Sequence, residues 1–77
     1  MGSFNFDRLA EAWGGSLVKR EDVAKFSCGL LHPRTMANLD SLGKGIVDRI
    51  VIGRRVVYPV ESLVAYLKAR EGKRHED

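Results

Sequence analysis

The sequence predicts a small single domain that is mainly α-helical and carries one short β-hairpin. Four stretches have helical character, and the first and last of them place apolar side chains at the three- and four-residue spacing of one helical face. A further stretch, rich in β-branched residues, is divided by Gly53-Arg54, and glycine followed by another residue is typical of a two-residue hairpin loop. The 77 residues are enough for one hydrophobic core and too few for two domains.

The composition is that of a soluble globular protein, with 44% hydrophobic and 30% charged residues. Cys28 is the only cysteine, so no internal disulfide forms, which suits a reducing cytoplasm. The longest aliphatic run, residues 50–52, is too short for a membrane span or a signal peptide. We therefore expect a cytoplasmic protein, and the small size leaves little room for an enzyme cleft.

The first predicted helix lies near the start of the chain and ends at Gly14-Gly15. Its apolar face is formed by residues at positions i, i+3, i+4 and i+7, namely Phe6, Leu9, Ala10 and Trp13. Residues 1–16 are therefore predicted to form an amphipathic helix and a glycine linker. This segment either caps the core or docks a second subunit or a recombinase.

The second predicted helix covers residues 17–26. Glu21 and Asp22 suit its first turn because carboxylates are stabilised at the positive end of a helix. Cys28-Gly29 ends the helix. Three residues are predicted to face the core: Val18, Val23 and Phe26.

The third predicted helix covers residues 33–42. It begins at Pro33, which suits the first helical position, and it ends at Gly43. Met36 and Leu39 point inward, and the outer side carries Arg34, Thr35, Asn38 and Ser41. Short polar side chains beside an arginine are typical of a helix in a DNA groove. An ordinary solvated helix face is the alternative.

A β-hairpin is predicted next, with residues 46–52 and 55–58 as its strands. The loop sets a register that places Ile52 opposite Arg55, Ile50 opposite Val57 and Arg49 opposite Tyr58. Arg54 and Arg55 lie at the tip, with Arg49 lower down. These arginines either contact a polyanion or protect an edge strand from aggregation.

The last predicted helix opens at Pro59 and ends at Gly72. Its apolar stripe consists of Val60, Leu63, Val64 and Leu67. Tyr66 lies beside the stripe, as a core-edge aromatic or as a partner contact. Residues 71–77 are predicted to form a flexible charged tail.

The net charge of +3 is concentrated in the middle of the chain. Residues 32–58 hold five basic and two acidic residues, whereas residues 1–31 and 59–77 each hold four of either sign. A cationic surplus on one helix and one hairpin is an electrostatic footprint for a polyanion such as nucleic acid.

The order helix, turn, helix, hairpin, helix predicts a winged helix-turn-helix domain over residues 17–70. In that arrangement the helix at about 33–42 enters the major groove of double-stranded DNA, and the wing at 46–58 lies on the backbone or in the minor groove. The predicted DNA-binding residues are Arg34, Thr35, Asn38, Ser41, Lys44, Arg49, Arg54 and Arg55.

The same stretch resembles the small MerR-superfamily DNA-binding domains of phage excisionases and AlpA-like regulators. The similar pieces, in order, are Leu17-Val18, Arg20-Glu21-Asp22-Val23-Ala24, Pro33-Arg34-Thr35-Met36, Asn38, Gly43, Gly45, Ile52-Gly53-Arg54-Arg55-Val56, Tyr58, Leu63-Val64 and Tyr66-Leu67. The resemblance implies base and phosphate contacts from the second helix of the motif and phosphate or minor-groove contacts from the wing, at Arg34, Thr35, Asn38, Lys44, Arg54 and Arg55. This chain departs from the pattern in its longer turn over residues 27–32, in Leu39 where an aromatic is common, and in residues 1–16, which have no counterpart.

The resemblance further implies a recombination directionality factor of the excisionase kind, encoded by a bacterium or a phage. Such a protein binds double-stranded DNA in the nucleoid, performs no chemistry, assembles with neighbouring copies of itself and recruits an integrase or recombinase. One alternative is an AlpA-like transcription regulator of the same fold. Another, from a different class, is a protein-interaction adaptor whose basic wing docks an acidic partner.

Catalytic, cofactor and metal sites are not expected. Cys28 and His32 are four residues apart, but Gly29 and Pro33 interrupt any continuous helix between them, and no third ligand is nearby. Gly43-Lys44-Gly45 lacks the length and context of a phosphate-binding loop. We therefore expect no enzyme activity, no metal or cofactor, no small-molecule ligand and no membrane partner.

Overall fold

A computed structural model describes residues 4–71 and contains four α-helices and a three-stranded antiparallel sheet. The helices are α1 (Asp7–Trp13), α2 (Val23–Phe26), α3 (Pro33–Ser41) and α4 (Val60–Arg70), and a short 3-10 helix covers Arg20–Asp22. The strands are β1 (Leu17–Lys19), β2 (Ile50–Ile52) and β3 (Arg55–Pro59). The protein is a small α/β domain, about half helical, in which β3 is the central strand of the order β1-β3-β2.

The first predicted helix is confirmed as α1. Gly14 follows it with a φ of +78°, a left-handed conformation that glycine adopts without strain. The predicted apolar face packs against the core, with all four of its residues partly buried. Trp13 anchors this contact because its ring lies edge-on to Phe26 at 5.7 Å and its Nε1 donates to the carbonyl of Leu17 at 3.0 Å.

The predicted helix over residues 17–26 is wrong in its first half. Leu17–Lys19 forms β1, which pairs antiparallel with β3 and places Val18 opposite Tyr58. The strand forms because pairing with β3 satisfies its backbone hydrogen-bonding groups and places Val18 in the core. Local sequence signals for a helix carry no information about a partner so distant in the chain. The three predicted core residues of this stretch are nevertheless buried.

The hairpin has the predicted loop and the predicted register near its tip. Gly53 has a φ of +63°, which a type II′ loop requires at its first position. Ile52 pairs with Arg55, and Ile50 pairs with Val57. A third strand, β1, completes a sheet where the sequence predicted a hairpin alone.

The lower part of the hairpin differs from the prediction. Residues 46–49 form a turn, in which Ile46 is buried in the core and the Arg49 N–H donates to the Ile46 carbonyl at 3.4 Å. The ladder between β2 and β3 ends at the pair of Ile50 and Val57, so Arg49 does not pair with Tyr58 as predicted. Burial of Ile46 turns the chain into the core before the strand begins.

The hydrophobic core joins the sheet to the helices. Its buried members are Val18, Val23, Phe26, Leu31, Met36, Ile46, Tyr58, Val60, Leu63, Val64 and Leu67. The predicted stripe of α4 is confirmed in full, and Tyr66 packs at the core edge. Pro59 is the last residue of β3 and the N-cap of α4, so the helix begins at Val60, one residue later than predicted.

The ends of the chain limit what is described. The predicted helix end at Gly72 and the predicted charged tail beyond it lie outside the described residues, as do residues 1–3. Within residues 4–71, none of the helices has the length and apolar character needed to cross a bilayer.

Candidate nucleic-acid interface

The outer side of α3 is exposed, as the sequence predicts. Arg34, Asn38 and Ser41 follow one another at i, i+4 and i+7, so they form a single stripe along the helix, with Thr35 beside it. The opposite side is fixed in the protein, because Met36 is fully buried there. The helix therefore presents one arginine and three short polar side chains to the surroundings.

Both ends of α3 are defined by the chain around it. Pro33 occupies the first turn and follows an extended residue, which starts the helix sharply. At the other end Gly43 has a φ of +75°, and the Lys44 N–H donates back to the carbonyl of Leu39 at 2.9 Å. This closure places Lys44 at the C-terminal end of α3, a helix of nine residues and so about 13 Å long.

The hairpin tip carries Arg54 and Arg55, both exposed. A guanidinium nitrogen of Arg55 lies 3.8 Å from a carboxylate oxygen of Glu21, which also lies 3.7 Å from the ammonium of Lys19. Exposed ion pairs of this kind contribute little stability and are screened by salt. The contact between Arg55 and Glu21 is therefore weak enough for Arg55 to leave Glu21 and pair with another anion, such as a phosphate.

A groove of about 170 Å³ connects the hairpin tip to the start of α3. It is lined by residues of β1, the 3-10 helix, α3, the hairpin loop and β3: Lys19, Arg20, Glu21, Pro33, Arg54, Arg55 and Val56. The two tip arginines and the first residue of α3 thus border one concave surface, and Arg34 is the next residue of that helix. Lys44 and Arg49 do not line this groove.

Arg49 makes a local contact. Its guanidinium Nη1 donates to the carbonyl of Ile46 at 3.3 Å, within the turn that precedes β2. The side chain thus supports this turn, and its predicted role in DNA binding stays a prediction.

A cluster of three polar side chains, Arg20, Asp40 and Tyr58, fixes α3 against the sheet. Oδ2 of Asp40 accepts hydrogen bonds from Nη2 of Arg20 and from the hydroxyl of Tyr58, both at 2.7 Å. The hydroxyl of Tyr58 in turn accepts from Nε of Arg20 at 3.0 Å. The cluster joins the 3-10 helix, α3 and β3, and so sets the position of α3.

The sequence analysis missed this cluster and counted Asp40 only toward the charge of residues 32–58. The available signal was its spacing, because Asp40 follows Met36 by four residues and so lies on the inner side of the helix. Asp40 is only 7% exposed and is paired with Arg20. Asp48 is then the acidic residue of the 32–58 segment that remains on the surface, so the exposed charge there is more positive than the formal count.

Two members of the cluster, Arg20 and Tyr58, have raised pKa values. Burial is the main cause that raises the pKa of Tyr58, and its hydrogen bond to Asp40 adds to this, whereas the hydrogen bond from Arg20 acts in the opposite direction. The pKa of Arg20 is raised mainly by the hydrogen bond that its guanidinium donates to Tyr58. At neutral pH the phenol therefore keeps its proton and the guanidinium keeps its charge.

Gly45 allows the chain to pass directly over Asp40. A Cβ at this position would overlap Oδ1 of Asp40 and would also lie 3.0 Å from its backbone nitrogen. That oxygen is buried and has no hydrogen-bond partner among the described residues. Glycine is needed here for close approach, since its φ lies outside the left-handed region.

Within residues 4–71, no group of three or more His, Cys, Asp or Glu side chains is placed to hold a metal ion together.

Comparisons with protein-family models, with curated proteins and with solved structures find no match to this chain. Inference of function therefore depends on the chain's own residues and geometry.

Proposed function

We propose that this protein binds double-stranded DNA as a winged helix-turn-helix domain. In this proposal α3 lies in the major groove and the hairpin tip contacts the adjoining backbone or the minor groove. The observation that carries the proposal is the shared groove, in which Pro33 of α3 faces Arg54 and Arg55 of the hairpin. A helix and a basic ribbon tip on one surface match a groove and its bordering phosphates.

The exposed stripe of α3 supplies the chemistry for base recognition. Asn38 has the amide geometry that pairs with an adenine edge, and Arg34 suits a guanine edge or a phosphate. Thr35 and Ser41 are short hydroxyl side chains that reach bases or phosphates without blocking close approach. We propose these four as the residues that read sequence.

The cations around the stripe supply the affinity. Arg34, Lys44 and Arg54 form no ion pair with any carboxylate among residues 4–71, and Arg55 has only the weak contact with Glu21. If four or five cations reach phosphates, the logarithm of the binding constant falls against the logarithm of salt with a slope of about −4. Steep salt dependence is therefore the first property that the proposal predicts.

The biological role that we propose is that of an excisionase-like recombination directionality factor. The resemblance of residues 17–70 to such proteins supports it. The small size of the chain agrees with this role, because a single module buries only on the order of 600–1,000 Å² on DNA and would need further contacts to bind tightly. Neighbouring copies or an integrase would supply the remaining affinity. Protection of an attachment site in a footprint, with stimulated excision, supports this role, whereas protection of a promoter supports the AlpA-like alternative.

The direct test is a fluorescence anisotropy titration of a labelled duplex. Arg34→Ala and Arg54→Ala should each weaken binding about fivefold and reduce the salt slope by about 1, because each removes one phosphate contact. Arg8→Gln is the matched control, since it removes an exposed charge from α1, and it should leave binding unchanged. Wild-type protein with no duplex affinity at low salt would contradict the proposal and favour the protein-interaction adaptor.

Sequence reading is tested separately with Asn38→Ala on a duplex selected from a random library. The variant should lose about 1–3 kcal/mol of discrimination at one base pair while it keeps its affinity for unrelated duplexes. An equal loss on every duplex would show that Asn38 does not read bases.

A further inference from the structure

Among residues 4–71, Glu21 is the one acidic residue that lines the groove between the hairpin tip and the start of α3. The other charged residues of that lining are all basic: Lys19, Arg20, Arg54 and Arg55. Arg20 is neutralised by Asp40, whose carboxylate lies 2.7 Å from its guanidinium. The groove therefore presents three cations and a single carboxylate to an incoming anion.

The short 3-10 helix holds Glu21 beside β3. β1 ends at Lys19, and the chain enters the 3-10 helix at the next residue. Arg20 anchors this helix through its side-chain hydrogen bonds to α3 at 2.7 Å and to β3 at 3.0 Å. Glu21 follows directly, so the backbone that carries its carboxylate is fixed close to Arg55, the first residue of β3.

The Glu21 carboxylate lies between two cations that come from neighbouring strands. Its Oε2 is 3.7 Å from Nζ of Lys19 and 3.8 Å from Nη1 of Arg55. The three side chains are 48% to 66% exposed, so water and salt screen both contacts. Lys19 and Arg55 thus converge on one anionic group that is held only weakly.

We propose that the groove at Lys19 and Arg55 binds one phosphodiester group of the DNA backbone, and that Glu21 occupies this position in the free protein. A phosphodiester carries the same single negative charge as a carboxylate and likewise offers two oxygens to an arginine and a lysine. On binding, the phosphodiester replaces the Glu21 carboxylate, which moves into solvent because like charges repel. This proposal rests on the proposed function and adds Lys19 to the residues that contact DNA.

Glu21 then lowers the affinity for every duplex by the same factor. Phosphate contacts position a protein on DNA and carry no direct sequence information, so competition for a phosphate acts on all duplexes alike. Removal of the Glu21 charge should therefore raise the sequence-independent affinity, while the preference set by the stripe of α3 stays unchanged.

The test is the anisotropy titration of Glu21→Gln at several salt concentrations. The variant should bind about fivefold more tightly than wild type and steepen the salt slope by about 1, because one negative charge is removed from the contact with DNA. The gain should be equal on the selected duplex and on unrelated duplexes. Glu11→Gln is the matched control, since it removes an exposed carboxylate from α1, and it should leave binding unchanged.

Two results of this titration would overturn the proposal. One is a Glu21→Gln protein that binds no more tightly than Glu11→Gln. The other is a gain confined to one duplex, because Glu21 would then act on bases and not on a phosphate.

Lys19 is tested with and without Glu21. Lys19→Met should weaken duplex binding about fivefold in the wild-type background. The loss should be at least about twofold larger in the Glu21→Gln background, because Lys19 then gives up no carboxylate when it binds the phosphate. Equal losses in the two backgrounds would overturn the proposal. Circular dichroism establishes that each variant is folded.

A titration with inorganic phosphate, without DNA, separates this proposal from the proposed function. The backbone amides of residues 19–21 and 54–55 should shift, and Glu21→Gln should need at least about twofold less phosphate than wild type. These shifts without duplex binding would refute the DNA function and leave the groove as a phosphate site. Duplex binding with Glu21→Gln equal to its control refutes only the role of Glu21, and absence of both shifts and duplex binding refutes both proposals.

Discussion

Asp40 joins α3 to the sheet because its carboxylate accepts hydrogen bonds from both Arg20 and Tyr58. A buried carboxylate is costly unless it is paired and hydrogen-bonded, and here one oxygen has both partners. The cluster therefore does more than stabilise the fold. It fixes the angle at which the exposed stripe of α3 faces the surroundings, and so links the interior of the protein to its proposed DNA surface.

Removal of the Arg20 guanidinium should destabilise the protein, because Asp40 then stays buried without an opposite charge. Arg20→Met leaves Asp40 buried with Tyr58 as its remaining partner, and we expect it to lower the free energy of unfolding by about 3 kcal/mol. Arg20→Met/Asp40→Asn should lose less, because the unpaired charge is gone. Urea unfolding measures both, with Lys19→Met as an exposed control expected within about 0.5 kcal/mol of wild type. A cost for Arg20→Met no larger than that of the control would contradict the account.

Tyr58 should make stability depend on pH in the alkaline range. Burial raises its pKa in the folded protein above the ordinary value of about 10 that holds in the unfolded chain. Its contribution is therefore complete below about pH 10 and is lost as the pH rises through the folded-state pKa. The difference in unfolding free energy between wild type and Tyr58→Phe should narrow over this range in urea titrations. Parallel curves would show that the phenol does not ionise differently in the two states.

At the scale of elements, local sequence patterns were sufficient to predict a helix or hairpin wherever the pattern lies within that one element. The stripes of α1 and α4 were predictable from spacing, and the hairpin register near the tip followed from its two-residue loop. β1 was not predictable, because Val18 becomes a strand residue only by pairing with β3. The exposed stripe of α3 was predictable for the same reason as the helical faces, whereas the cluster around Asp40 depends on partners from two other elements.

The loop after α3 offers a test at the element scale. Gly45→Ala should cost about 1–3 kcal/mol of unfolding free energy, because the new Cβ overlaps Oδ1 of Asp40 and forces the loop away from α3. Gly15→Ala is the matched control, since its Cβ would make ordinary contacts of 3.6 Å with Trp13. Thermal unfolding compares the two. A Gly45→Ala protein as stable as Gly15→Ala would show that the loop does not pack closely on Asp40.

At the scale of the whole molecule, the buried charges of residues 4–71 are paired and the unpaired cations lie on the surface. The interior neutralises Asp40 with Arg20, and the surface retains cations along α3, the following turn and the hairpin tip. Away from these cations, α1 and α4 are joined by an exposed ion pair between Asp7 and Lys68 at 3.2 Å. The cationic surplus of the chain therefore lies within residues 32–58, as the sequence predicts.

The central claim is that the outer side of α3 and the hairpin tip form one nucleic-acid surface. Its most direct test is a map of backbone amide chemical shifts in the full chain as a DNA duplex is added. We predict that the largest changes fall on residues 33–42 and 53–55 together, with little change in α1 and the outer turns of α4. Changes confined to α1 and α4, with the stripe of α3 unaffected, would contradict the account.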